Sequence, residues 1–310
     1  MPETSSDSQR FFSNYLAARR DYRNHRNHSA IQKLLKLDQQ VDNADVNHLL
    51  VKTLVRLNNY SLARVYVLAR VNSYLANAAL ARLMIRVLLK NYDFIRCREI
   101  LTTFKRPALQ KSLLSEVGLA ENRFRASHRH ALLNGMRRFY HLAGNSLIKQ
   151  RLIFQQALCL PLNEYLRIAK QLLVDPFLRI IMRVSILDTV RKLDLRIKLR
   201  YRWLDQKDYW VDLARLTDLT RTESYRQVMK IADDFSNGNP VHLRLLKQNL
   251  RLQLTYLYPF NDAKVHSPSD WVQVASLRIN GQQPDANNHK LRQIYFEQAK
   301  LNRITNDLAR

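Results

Sequence analysis

Glycine occurs 5 times and proline 8 times in 310 residues, against roughly 7% and 5% in an average chain. That shortage argues against glycine-rich phosphate loops, doubly wound sheets and turn-dense β-sandwiches. It favours helices joined by short polar turns. Two cysteines, Cys97 and Cys159, are too few for a disulfide framework or a four-cysteine zinc site; both read as small core residues. Acids are scarce as well. The chain has 26 Asp and Glu against 51 Lys and Arg, a formal charge of +25. Residues 51–160 hold only Asp93, Glu99, Glu116 and Glu121 beside 19 basic residues, so a paired-carboxylate mechanism has few candidates there. No stretch approaches 18 uncharged apolar residues, and no transmembrane helix is expected. Residues 1–8 are polar with two acids and read as a disordered leader rather than a secretory signal. A cytoplasmic location is the expectation.

Catalytic signatures are missing too. The chain has no Walker loop, no dinucleotide GxGxxG, no GxSxG elbow and no HExxH. His25 and His28 stand three apart in a basic polar stretch with no third ligand in view, and His128 and His130 lie in another basic run. Both read as solvated segments rather than metal sites. No enzyme activity, cofactor or metal is expected.

What is present is internal similarity. Asn58-Asn59-Tyr60 recurs as Lys90-Asn91-Tyr92 and again as Asn122-Arg123-Phe124, each 32 residues on. Asn163-Glu164-Tyr165 and Lys207-Asp208-Tyr209 echo it at looser spacing. Apolar positions return with it: Val55, Val87 and Leu119; Leu68, Ile100 and Leu132. Such a period suggests stacked helical hairpins, each a helix, a short polar turn and an antiparallel helix. Tyr60 and Tyr92 are expected to fold back between the two helices of their hairpins. In this stretch the chain resembles the tetratricopeptide repeat family: Leu57-Asn58-Asn59-Tyr60-Ser61-Leu62-Ala63 is similar to that family's turn, with Ala63 at its small second-helix position. The departures are Val51, Leu83 and Ser115 at the first-helix small position, Ile95, Ser127, Ile168 and Asp212 at the second-helix small position of the other units, and the lack of glycine before the turn. The resemblance covers about residues 45–140, with a looser echo to about 216, and implies an adaptor rather than an enzyme. The fold class expected is all-α, a tetratricopeptide-like α-solenoid over residues 45–234. It is preceded by basic helices in 9–44 and followed by a loop-rich helical region, 235–310.

Pro161 and Pro176 suit helix starts or breaks. Two segments alternate with period two, a strand signal: Leu193 to Trp203, and Leu250 to Tyr258. Ile186, Leu187, Val190 and Leu193 lead into the first with helical spacing, and helix is expected for both, with a small β element as the alternative. Residues 236–240, 261–270 and 281–288 read as loops, and residues 291–308 as a last amphipathic helix.

Arg outnumbers Lys by 35 to 16, which favours bidentate binding of carboxylate or phosphate. At the 32-residue spacing Arg64, Arg96 and His128 are equivalent and would form a ladder. On a helix, Lys192, Arg196 and Arg200 would share one face, with Arg202 close by. These seven are the residues expected to bind an anionic partner. An acidic protein or peptide is the first expectation. RNA or DNA held without sequence preference is the alternative, with Tyr66, Phe139, Tyr140, Tyr201 and Trp203 as rings on which bases would stack. A membrane surface is the least expected partner, since no lipidation motif or apolar interfacial helix is present.

Overall fold

The computed structural model describes residues 5–235 and 239–309. It is mostly helical, with one two-stranded sheet among the described residues. The chain forms two compact units, residues 1–137 with 155–165, and residues 138–154 with 166–310. Residues 45–234, expected to be a repeat region, fall partly in each.

The first unit begins with α1 (Ser5–Arg23) and α2 (Asn27–Gln40), then α3 (Ala44–Arg56), α4 (Tyr60–Ala69) and the short α5 (Val71–Tyr74). α6 (Ala78–Lys90), α7 (Phe94–Thr102) and α8 (Pro107–Ser127) follow. Ser5 to Ser8, assigned above to a disordered leader, are helical in backbone; residues 1–4 lie outside the described residues. Asparagine starts several of these helices. Asn43 accepts from the amides of Asp45 and Val46 at 2.8 and 3.2 Å. Asn59 accepts from Leu62 and Asn77 from Leu80, satisfying amides that have no partner in the first turn.

Three hairpins, α1–α2, α3–α4 and α6–α7, close with the same turn. His25, Asn58 and Tyr92 take left-handed backbone, with φ of 59°, 55° and 59°. The following amide, of Arg26, Asn59 or Asp93, donates to the carbonyl of Asp21, Leu54 or Leu88 at 2.9–3.0 Å. The left-handed residue itself donates to Tyr22, Val55 or Leu89. This is the Schellman closure of a helix, built here without glycine. The turns stand 33 and 34 residues apart, and fully buried residues follow the same register: Ala18, Val51 and Ile85; Ala30, Ala63 and Cys97; Leu34, Val67 and Leu101.

The register expected at a spacing of 32 is therefore overturned. Tyr60 opens a second helix, whereas Tyr92 is the turn residue itself and Phe94 opens the helix. Tyr92 is exposed and Tyr60 half-buried, so neither ring is enclosed between helices as expected. Asn122-Arg123-Phe124 lies inside α8, where there is no turn.

Arginines brace neighbouring elements of this unit. Arg64 on α4 pairs with Asp93 at the start of α7. Arg98, 34 residues on, grips Glu121 of α8 through two bonds of 2.8 and 2.9 Å, and the Leu162 amide also donates to that carboxylate. Glu121 is 3% exposed. Glu121→Gln removes the charge from both contacts and should cost about 2 kcal/mol, the scale of a hydrogen bond to a charged group; chemical denaturation measures it.

α9 (Arg129–Tyr140), α10 (Leu147–Ala157) and α11 (Leu162–Leu172) each carry residues of both units. The second unit continues with α12 (Ile180–Lys192), β1 (Lys198–Arg202) and β2 (Asp208–Asp212), then α13 (Glu223–Asp234) and α14 (Pro240–Leu257). α15 (Asn261–Lys264), α16 (Pro268–Ile279) and α17 (His289–Ala309) complete it. Helix was expected across 191–203; instead α12 ends at Lys192, Asp194 turns left-handed at φ 53°, and β1 pairs antiparallel with β2. The alternation explains this outcome. Only a strand keeps Leu199, Tyr201 and Trp203 on one buried side while Lys198 and Arg200 stay exposed. The buried rings have partners: Trp203 Nε1 donates to the Leu257 carbonyl at 3.1 Å and the Tyr201 hydroxyl to that of Tyr258 at 3.3 Å.

Residues 250–257 are helical, within α14, as expected. Residues 208–212, placed in or beside helices by the sequence pattern, are strand. Of the expected loops, 281–288 is one; 261–270 contains α15 and the start of α16; 236–238 lie outside the described residues.

Candidate anion-binding face

The seven cations singled out from sequence do not form one site. Arg64 is spent on Asp93. Arg96 is half-buried and donates to Gln155 at 3.3 Å. His128 stacks on Phe124, with ring centroids 5.0 Å apart, and its ring nitrogens lie 2.7 Å from the Ser127 hydroxyl and 3.3 Å from that of Tyr92. Lys192 pairs with Asp188 on its own helix. Arg200 and Arg202 both hold Asp208 across the hairpin. Arg196 is exposed between α12 and β1. The first three lie in one unit and the last four in the other. Sequence spacing placed them together because it cannot show a carboxylate brought in from another element.

A different set stands open. The 33- and 34-residue register aligns Arg19, Lys52 and Arg86 in the first helices of the three hairpins, and one turn later Arg23, Arg56 and Lys90. All six are exposed, and none has an acidic partner among the described residues. On each helix the pair is four residues apart, which puts both side chains on one face about 6 Å apart at Cβ. α1 packs on α3 and α3 on α6, so the pairs are neighbours. On the second helices, by contrast, three cations are neutralised, Lys33 by Asp21, Arg64 by Asp93 and Arg98 by Glu121, while Lys36 is exposed and Arg96 meets the neutral Gln155.

Two of the open cations are held in place. The Arg56 guanidinium lies 3.5 Å from the Tyr22 ring centroid and donates to the Tyr22 carbonyl at 2.6 Å. The Lys90 ammonium is 5.7 Å from the Tyr60 ring centroid, and Arg86 reaches the Tyr60 hydroxyl at 3.5 Å. Cation–π contact fixes a long side chain without neutralising it.

Neither thiol is poised for chemistry. Burial, with the nearby Asp93 charge, pushes the Cys159 thiol up to about 11, and complete burial raises that of Cys97. Cys97, wholly buried, should resist a thiol reagent at neutral pH until the chain unfolds, and Cys159, half-buried with a raised pKa, should react slowly in the native state; a native against denatured colorimetric titration checks this. Among the described residues no three His, Cys, Asp or Glu gather as metal ligands, and no helix is long and apolar enough to cross a membrane.

Comparison with protein-family models, with curated proteins and with solved structures finds no match to this chain.

Proposed function

We propose that the three hairpins are units of a tetratricopeptide-like helical repeat, and that the chain is a non-enzymatic scaffold that binds an acidic protein or peptide through the first-helix face. One observation carries this: six exposed cations at equivalent positions have no acidic partner among the described residues, while Lys33, Arg64 and Arg98 on the second helices are each held by a buried acid. Leaving like charges side by side costs self-repulsion. An anionic partner relieves that cost, and a positive face of this size also speeds its arrival.

The rings proposed for stacking do not line this face, which supports carboxylate over nucleic acid. Phe139, Tyr201 and Trp203 are core residues at 0%, 1% and 7% exposure, Tyr66 is half-buried on α4, and Tyr140, 51% exposed, belongs to the second unit. Tyr22 and Tyr60, the rings beside the cations, already carry a cation. Single-strand binders depend on free aromatic faces.

The test is a fluorescence-anisotropy titration with a labelled acidic peptide and with a labelled uridine oligomer, at low and near-physiological salt. The scaffold reading expects the peptide to bind at both salts and the oligomer to fall away at the higher one. Retention of the oligomer with a steep salt slope would reverse the assignment.

A further inference from the structure

We infer that the segment this face takes is an extended acidic stretch of about seven residues in polyproline II conformation, with an acid at every third position and the central acid between Lys52 and Arg56. This rests on the function proposed above and names its ligand.

The geometry sets the spacing. Packed helices lie 8–10 Å apart, so the pairs on α1, α3 and α6 recur at about that interval. A polyproline II chain has three residues per turn and rises about 3.1 Å per residue, so every third side chain returns to the same side after about 9 Å. A β-strand cannot do this, because residues three apart point to opposite faces. An α-helix rises only about 1.5 Å per residue and would meet neighbouring pairs only at every sixth or seventh position. Acidic disordered chains already favour extension, since their charges repel.

Three pairs set the length. On α8, which packs on α6, the cations are Lys111, Arg123 and Arg125, and no two of them stand four residues apart. No fourth pair continues the series, so the ligand spans two steps and needs acids at positions 1, 4 and 7. Each acid meets two cations one turn apart, a clasp for one carboxylate. Arg56 and Lys90 are held by Tyr22 and Tyr60, so ordering them on binding costs less.

The experiment uses the full chain and two labelled peptides of identical composition. One carries Glu at positions 1, 4 and 7 with prolines between; the other carries the three Glu in a row. The spaced peptide should bind about fivefold tighter. Replacing its central Glu by Gln should cost about fivefold against the native chain and nothing further against Lys52→Gln with Arg56→Gln. The central acid meets the central pair whichever way the peptide runs. Against Arg19→Gln with Arg23→Gln, the central substitution should keep its full cost. Circular dichroism verifies the helical content of both variants. Equal binding of the two peptides, or a central-Glu cost that is the same in all three proteins, overturns the spacing while leaving an acidic partner in place. Failure of both peptides removes the acidic-partner reading as well, and tight binding of a uridine oligomer in their stead assigns the face to nucleic acid.

Discussion

Phe94→Ala should cost about 3–5 kcal/mol of unfolding free energy, the range for emptying a buried aromatic site, while Tyr92→Ala two residues earlier should cost far less. Phe94 is wholly buried and packs edge-on against Phe124, with centroids 5.5 Å apart. Tyr92 is 39% exposed and sits in left-handed backbone at φ 59°. A bulky residue there is itself unfavourable by roughly 1–2 kcal/mol, so Tyr92→Gly should recover part of whatever its ring contacts with Phe124 and His128 contribute. Urea denaturation of the three variants places the turn. Equal losses at Phe94 and Tyr92 would mean that Tyr92 is the enclosed ring and that the 33- and 34-residue register is wrong.

Arg19→Glu, Lys52→Glu and Arg86→Glu together should weaken an acidic ligand at least about a hundredfold, or about 2.7 kcal/mol, with the fold intact. The two effects separate for a physical reason. Each new glutamate stands four residues before Arg23, Arg56 or Lys90, the favourable order for an ion pair along a helix, worth about 0.2–0.5 kcal/mol each. The substitutions therefore add intrahelical pairs as they reverse one column, and the same pairs neutralise the other. The three native side chains are exposed and hold no acid among the described residues, so little packing is lost. A large fall in stability would show that these cations serve the fold.

Helical character was legible from the shortage of glycine and proline, and α12 from Ile186, Leu187, Val190 and Leu193. The turns were harder to read. Their left-handed residues are His25, Asn58 and Tyr92, three different types and no glycine, so no residue letter marks them. Two tyrosines 32 residues apart then suggested a register that mixes a helix start, Tyr60, with a turn residue, Tyr92. Buried alanine, cysteine and aliphatic residues carry the correct register, but burial is not written in the residue type. The strand at 198–202 was legible in its alternation, and the helical lead-in outweighed it because nothing in the local sequence says that Asp194 turns left-handed.

The candidate face was hidden by the same cause. Whether an arginine is free depends on carboxylates far away in sequence, such as Asp93 for Arg64 and Glu121 for Arg98. Cations recurring four apart just before each turn are a pattern in the letters, visible only once the turns are placed.

The most direct test of the anion-binding face compares two variants of equal charge change. One is Arg19→Glu, Lys52→Glu, Arg86→Glu. The other is Arg221→Glu, Lys230→Glu, Arg251→Glu, exposed positions of the second unit. In an anisotropy titration of the spaced acidic peptide at near-physiological salt, the first should lose binding and the second should keep nearly native affinity. Equal losses in both would mean that net charge, and not this face, attracts the ligand.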